Sequence, residues 1–455
     1  MYNYIMSHAY SGLFGRMVVF LQCILLCIRI QGQATSDTTA LAMTVEDCMR
    51  YAVVHSHSLR QQELRLDNSK ATHLQAVGAF LPSLNASTSI QWNFGRAIDP
   101  ETNTYTSVST FNNGYGLSAS LPVFDGLYRV HALRAARADV LLQKNALQAN
   151  RDQVALQTYQ AFIDVIYAQE SVHLATEKLR ESEMILHRTK VMEEEGLKSP
   201  ADVALIMAQQ AADELMLTKQ ENQLESCMLK LKEVMNWPMD NPMPTLHPIT
   251  LRTEPDGEAS SSALLLQSFY SLQSARHNLH ATRASLFPTL SLSAGINSSY
   301  YRNLNNPSAT SFGQQLKNNL GEYVSINLSI PLFNRLGTMM SLRRAKNNLL
   351  IAEEQYAAKQ TELDVLRRQA RLDVAAYCKE SEQGEQKVAA DSLAYELVRQ
   401  QYTEGLASPI DLQTSSATLL QSRATLLQSR LMVGIKEMQR RYYDGHPLVE
   451  IGLKP

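Results

Sequence analysis

Two histidine pairs are the residues of this sequence whose type and spacing first suggest chemistry: His55-x-His57 and His277-x-x-His280. The second pair has the i, i+3 spacing that puts two imidazoles on one helix face, as a metal site would need. Neither pair has a Cys, Asp or Glu at convincing ligand spacing, so both read as surface helix histidines. Glu193, Glu194 and Glu195 form a solvated carboxylate run at a helix end, and the sequence holds no Gly-x-Ser-x-Gly, phosphate-binding glycine loop or His-Glu-x-x-His. A hydrolase or transferase is left without residues to carry it. No enzymatic activity, metal or cofactor is expected.

Charged residues make up 19% of the 455 residues and the net charge is -2. No block of five or six like charges occurs, which disfavours nucleic acid as a partner. Arg16 precedes an apolar run from Met17 to Ile28, followed by Gly32-Gln33-Ala34. That order reads as a secretory signal over residues 1–34. Cys23 and Cys27 follow Gln22 and Leu26, where a lipoprotein signal would place a small residue, so no acyl anchor is expected. Cys48, Cys227 and Cys378 remain, an odd and widely spaced set that suggests neither a disulfide framework nor a zinc site.

The elements that must position any functional residue are written twice. Phe80-Leu81-Pro82-Ser83-Leu84 matches Leu286-Phe287-Pro288-Thr289-Leu290 at a distance of 206 positions. Ser120-Leu121-Pro122-Val123-Phe124-Asp125 matches Ser329-Ile330-Pro331-Leu332-Phe333-Asn334 at 209. Glu195-Gly196-Leu197-Lys198-Ser199-Pro200-Ala201-Asp202 matches Glu404-Gly405-Leu406-Ala407-Ser408-Pro409-Ile410-Asp411, again at 209. The expected organisation is a first repeat over 35–244 with a β-hairpin at 83–123, a second over 245–442 with a hairpin at 289–331, and a tail over 443–455. Each repeat is a helix, hairpin, long helix, turn and helix.

Leu133, Val140, Leu147, Val154, Ala161 and Ala168 fall at sevenfold spacing, as do Leu342, Leu349, Tyr356, Leu363, Ala370 and Tyr377. Heptads sustained this long predict coiled-coil rods from Tyr128 to Glu194 and from Leu336 to Thr403. Between the prolines the period changes to two: Leu84, Ala86, Thr88 and Ile90, then Leu117, Ala119 and Leu121, and again Leu290, Leu292, Ala294 and Ile296, then Val324, Ile326, Leu328 and Ile330. These are four strands of about ten residues, the length a tilted strand needs to cross a bilayer. Polar stretches from Asn93 to Asn113 and Arg302 to Gly321 predict solvent-facing hairpin loops. Four strands cannot close a barrel and an open sheet in lipid is costly, so the chain must oligomerise; two copies are the minimum and three give twelve strands.

The doubled order, with its Leu-Pro-Ser-Leu and Pro-Val-Phe-Asp entries and Gly-Leu turns, resembles the TolC-like outer-membrane efflux proteins, and Asn93 to Pro100 looks like a Bacteroidetes-type member. The resemblance implies a mainly α fold with membrane β: a homotrimer whose twelve-stranded β-barrel in the outer membrane continues into an α-helical barrel in the periplasm. It implies a passive exit duct for small toxic compounds or drugs, joined to a periplasmic adaptor and an inner-membrane pump, proton-driven or ABC type. A type I protein secretion duct shares that fold. A secreted coiled-coil protein without a pore would explain the heptads but not the paired hairpins.

Glycine permits the left-handed helix ending, while Ser199-Pro200 and Ser408-Pro409 place a cap and an N1 proline at the next helix start. By resemblance Gly196, Leu197, Ser199, Gly405, Leu406 and Ser408 would also contact the adaptor. Asp202 and Asp411 suit a first helical turn through the helix dipole. Asp411 also matches a pore-facing acidic position of the family, where three copies would form a cation-favouring ring. Thr414 and Ala407 stand where relatives carry a second acid and a latching arginine, so a pore constriction here would be less charged.

Overall fold

The computed structural model describes residues 43–98, 103–107, 109–247, 262–304, 311–446 and 448. The expected signal lies outside these residues, as does most of the expected tail. Two units are distinguished. In the small one, Met43 and Leu246 form a parallel bridge, with the Met43 N–H donating to the Thr245 carbonyl at 2.9 Å. The second unit, from Thr44 to Met243 and onward from Pro248, holds every helix and sheet described below.

Helix α1 (Val45–His55) begins at a reciprocal cap between Thr44 and Asp47. Ser56, extended at φ -67 and ψ 122, breaks the helical run and caps α2 (His57–Gly78). The uniform helical pattern before Pro82 gave no sign of this break. Strand β1 (Ser83–Asn93) follows, then a short hairpin of β2 (Arg96–Ile98) and β3 (Tyr105–Ser107), then β4 (Thr110–Phe124). The rod α3 (Tyr128–Glu194) turns into α4 (Pro200–Met235). The second half runs α5 (Ala263–Ala284), β5 (Thr289–Asn303), α6 (Phe312–Asn318), β6 (Gly321–Ser329), α7 (Gly337–Thr403) and α8 (Pro409–Asp444). Rods α3 and α7 are each 67 residues, about 100 Å at 1.5 Å per residue. Their returning helices are each 36 residues. Helix α8 reaches Asp444, two residues into the expected tail, and ends on Gly445 at φ +92.

The two expected loops contain structure. The β2–β3 finger and helix α6 occupy them, because Arg96 stacks on the Tyr105 ring at 5.3 Å and Phe312 packs edge-on against Tyr300 at 5.1 Å. Such local aromatic anchors outweigh the polar composition that marked these stretches as loops.

The four long strands form one antiparallel sheet in the order β1-β4-β5-β6. Register puts Leu84 beside Ala119, Leu117 beside Ile296 and Leu292 beside Ile326. One face thus carries Leu84, Ile90, Leu117, Leu121, Leu292, Ile296, Val324 and Ile326. The other carries Asn85, Ser87, Ser118, Ser120, Ser291, Ser293, Ser325 and Asn327. The apolar face is open: Val324 is 75% and Ile326 71% exposed.

Each sheet-to-rod joint needs a reversal that L-residues resist. Gly126 and Leu127 lie at φ +66 and +70, Arg335 and Leu336 at +55 and +67. A left-handed leucine costs about 1–2 kcal/mol. At the first joint a Cβ on Gly126 would sit 2.6 Å from the Ala284 carbonyl oxygen, so only glycine fits. There Arg129 donates to the Asp125 carboxylate at 2.8 Å, the Ala79 carbonyl at 3.1 Å and the Pro122 carbonyl at 2.6 Å, tying the ends of α2, β4 and α3 together.

The rods are unequal. Helix α3 buries side chains along most of its length, with Phe162 and Val165 fully enclosed, and Leu147, Val154, Ala161 and Ala168 of its heptad stripe are buried. Of α7 only Ala352, Leu363, Ala370, Tyr395 and Tyr402 are buried among the described residues.

Candidate functional site at the helical tips

The two rod ends are built alike. Helix α3 closes with the Gly196 N–H donating to Glu193 at 2.9 Å and the Leu197 N–H to Met192 at 2.7 Å. Helix α7 closes with Gly405 to Tyr402 at 3.1 Å and Leu406 to Gln401 at 2.8 Å. This pattern needs a left-handed residue, and Gly196 and Gly405 lie at φ +78 and +79. Ser199 and Ser408 then cap α4 and α8, with Pro200 and Pro409 in the first turn. Leu197 and Leu406 protrude, Leu406 being 76% exposed.

Asp202 and Asp411 close reciprocal caps. The Ser408 N–H and hydroxyl donate to the Asp411 carboxylate at 3.1 and 2.7 Å, and the Asp411 N–H returns to the Ser408 oxygen at 3.2 Å. Hydrogen bonds from Ser408 hold the Asp411 carboxyl below the usual carboxylate range, so it stays charged at neutral pH while remaining solvent-exposed. Ser199 holds Asp202 down in the same way. Thr414 donates its hydroxyl to the Ile410 carbonyl at 2.8 Å, one turn back along α8.

Lys198, Thr189 and Tyr402, none of them an expected site residue, bring the two tips together. Lys198 of the first turn reaches the Ala407 carbonyl of the second at 3.5 Å and lies 4.6 Å from the Tyr402 ring centre. Thr189 and Tyr402, 0% and 1% exposed, share a hydrogen bond of 2.8 Å between α3 and α7. Burial pushes the Tyr402 phenol above its ordinary pKa, so it remains protonated as a donor. One heptad above, the Tyr395 hydroxyl donates to the Glu181 carboxylate, and Lys178 bonds Ser416 while lying 3.5 Å from Glu181. Arg423 pairs with Glu177 at 3.8 Å. Around these polar rungs Tyr395, Tyr402, Leu412 and Leu419 pack with Ile185, which also touches Leu186, Val203 and Ile206. Ile185 thereby joins the apolar seams of both hairpins. The one sequence signal for the rungs was Tyr402 preceding Glu404-Gly405, which periodicity assigns only to the rod's end.

His55 and His57 are exposed helix residues, as expected, while His277 and His280 are half-buried. His55 Nδ1 donates to the Tyr51 carbonyl at 2.9 Å and the ring stacks on that of Tyr51. His277 and His280 are not plain surface residues, because His131 of α3 stacks against both rings at 6.3 and 5.1 Å. Burial lowers the pKa of His131 and His277. Among the described residues no three His, Cys, Asp or Glu groups converge to hold a metal. Cys48, Cys227 and Cys378 are free thiols.

Comparison with known proteins agrees with this architecture. The family model described as outer membrane efflux protein matches residues 49–236 and 258–439, so its second match begins 209 positions after its first. The outer membrane efflux protein BepC of Brucella suis is 21% identical over 384 residues, covering 83% of this chain and 78% of its own. The solved CusC structure superposes with a TM-score of 0.79 at 17% identity, covering 92% of this chain and 95% of that one. The outer membrane protein VceC of Vibrio cholerae gives 0.79 at 16% identity, over 88% and 96% of the two chains. With the family model spanning both halves, this chain belongs to the outer membrane efflux protein family.

Proposed function

We propose that three copies of this chain form one continuous passive duct, a twelve-stranded barrel in the outer membrane joined to a helical barrel in the periplasm. The observation that carries the reading is the sheet: one face apolar and exposed, the other polar, with β1 and β6 left as edges. In lipid each unsatisfied edge group costs several kcal/mol, and the relief is closure against β1 and β6 of further copies. A second stripe supports the same assembly. Ile351, Val365, Leu372 and Leu393 share one heptad register on α7 and are all exposed, as a face awaiting a second copy would be.

The polar face, rich in serine and asparagine, then lines the lumen. At the far end the protruding Leu197 and Leu406, on the turns built by Gly196, Ser199, Gly405 and Ser408, meet a periplasmic adaptor. Asp411 of each copy contributes to an acidic constriction, with Thr414 one turn further on α8. The Thr189–Tyr402 and Glu181–Tyr395 rungs hold the α7–α8 hairpin against α3 and keep the constriction narrow. Opening moves that hairpin away and exchanges the rungs for water. An inner-membrane pump, joined through the adaptor, supplies the energy. The cargo is small toxic compounds, in keeping with relatives named for efflux.

Deleting the gene in its host and measuring susceptibility to lipophilic toxic compounds tests this. Sensitisation reversed by the intact gene supports efflux. Unchanged susceptibility with loss of a secreted protein would overturn it in favour of type I secretion.

A further inference from the structure

Strand β5 outruns its neighbour. It extends from Thr289 to Asn303 and pairs with β4 to the end, but its ladder with β6 stops at Asn297 opposite Gly321. In an antiparallel ladder, alternate residues turn their backbone groups to the same edge, so Ser299 and Tyr301 face the side where β6 is missing. Helix α6 stands there. The Gln315 side-chain carbonyl accepts from the Tyr301 N–H at 2.9 Å, and its amide donates to the Tyr301 carbonyl at 2.9 Å. The Asn319 side-chain amide donates to the Ser299 carbonyl at 2.8 Å.

The spacings explain why a helix fits. Gln315 and Asn319 are four residues apart, about 6 Å along a helix. Ser299 and Tyr301 are two apart, about 6.8 Å along an antiparallel strand. Two amides at i and i+4 thus meet two successive edge positions. Phe312, packed against Tyr300 and Tyr115, and the Ser298 hydroxyl donating to the Leu316 carbonyl at 2.7 Å fix the helix against the apolar face.

We propose that α6 is a helical edge cap, in which Gln315 and Asn319 replace the absent residues of β6, complete the barrel wall and bar strand addition above Gly321. A second copy can then add its β1 only along β6, which confines the register of closure; this last consequence rests on the trimer reading. The cap itself is a property of one chain. A sheet edge left open beside a long partner strand is otherwise a template for mispairing.

The test is residue-resolved hydrogen exchange on detergent-extracted full-length protein, with native mass measured on the same samples. Gln315→Met keeps the side-chain volume and removes both bonds. The Tyr301 amide, two residues from the strand's loop end where water reaches, exchanges at least tenfold faster in this variant, while the Ser293 amide inside the β5–β6 ladder is unchanged. Gln315→Glu retains the acceptor and keeps Tyr301 slow. Gln314→Ala, on the exposed side of α6, alters neither. Unchanged exchange at Tyr301 in Gln315→Met overturns the cap, and so does acceleration spread evenly along β5. A monomeric mass with the predicted exchange pattern would remove the trimer reading and leave the cap standing.

Discussion

Tyr402→Phe is the perturbation that most sharply separates a polar latch from simple packing at the tip. It removes one hydroxyl from a site 1% exposed and leaves the ring in place, so the contacts to Leu412 and Leu419 and the Lys198 cation over the ring persist. Thr189 is not orphaned, because its hydroxyl also bonds the Ile185 carbonyl at 2.7 Å. The loss is therefore one buried neutral hydrogen bond, about 1 kcal/mol per copy. If three tips release together the closed state loses about 3 kcal/mol, roughly a hundredfold in the ratio of closed to open. Thr189→Val should act more strongly, since it leaves the buried Tyr402 hydroxyl without its partner, at about 1–3 kcal/mol per copy. Single-channel recording reads the fraction of time spent in the high-conductance state. Both variants should raise it, Thr189→Val more, with the thermal midpoint of the extracted protein little changed. If Tyr402→Phe matches the parent while Tyr402→Ala opens the channel, packing closes the tip and the latch argument is wrong.

Asp411→Asn retains an oxygen to cap α8 but removes the charge, so cation selectivity should fall in bilayer reversal potentials with helix content unchanged. Because Ser408 holds the Asp411 carboxyl below its ordinary value of 3.8, the capping contribution is full above that value and fades only as pH falls through the lower, folded one. Selectivity in the parent should then be constant from neutral pH down to about pH 4; a decline near pH 6 would contradict this. Asp152 has the opposite sign. Buried at 8% exposure, its carboxyl is pushed up to about 6 despite hydrogen bonds from Gln148 and the Leu448 N–H, so folding gains from its proton below about pH 4 and loses that gain between about pH 4 and 6. Asp152→Asn should raise the thermal midpoint at pH 7.5, by at most about 3 kcal/mol of stability, and the difference should vanish by pH 4. A lowered midpoint at pH 7.5 would mean the ionised form is needed there. Gly405→Ala meets no atom within 4 Å but must adopt φ +79, so it should cost about 1 kcal/mol in thermal unfolding, whereas Gly78→Ala, also unobstructed and at an ordinary helical φ, should cost nothing. Equal effects of the two would remove the backbone argument.

Local signals explain which features were legible from the residues. Proline, glycine and a change of period from seven to two each act within a few positions, and they located the rods, the four strands and the Gly-Leu turns. The matched lengths of α3 with α7 and α4 with α8 follow the 209-residue offset shared by two of the three short motifs. Features made by distant partners were not legible. Thr189 and Tyr402 are 213 residues apart, and Gln315 meets Tyr301 only because the hairpin folds a short helix onto its own strand. His131 completes the stack with His277 and His280 from another helix, which spacing within one helix could not reveal. Arg129 stands in the first turn of a heptad rod with no motif to mark it, and its five-donor head ties three element ends.

The most direct test of the duct is planar-bilayer recording on extracted protein whose mass has been determined. A duct requires three-copy particles that insert and give discrete, salt-dependent conductance steps, biased toward cations and reduced in bias by Asp411→Asn. Particles of one copy that bind the bilayer without conductance would contradict it.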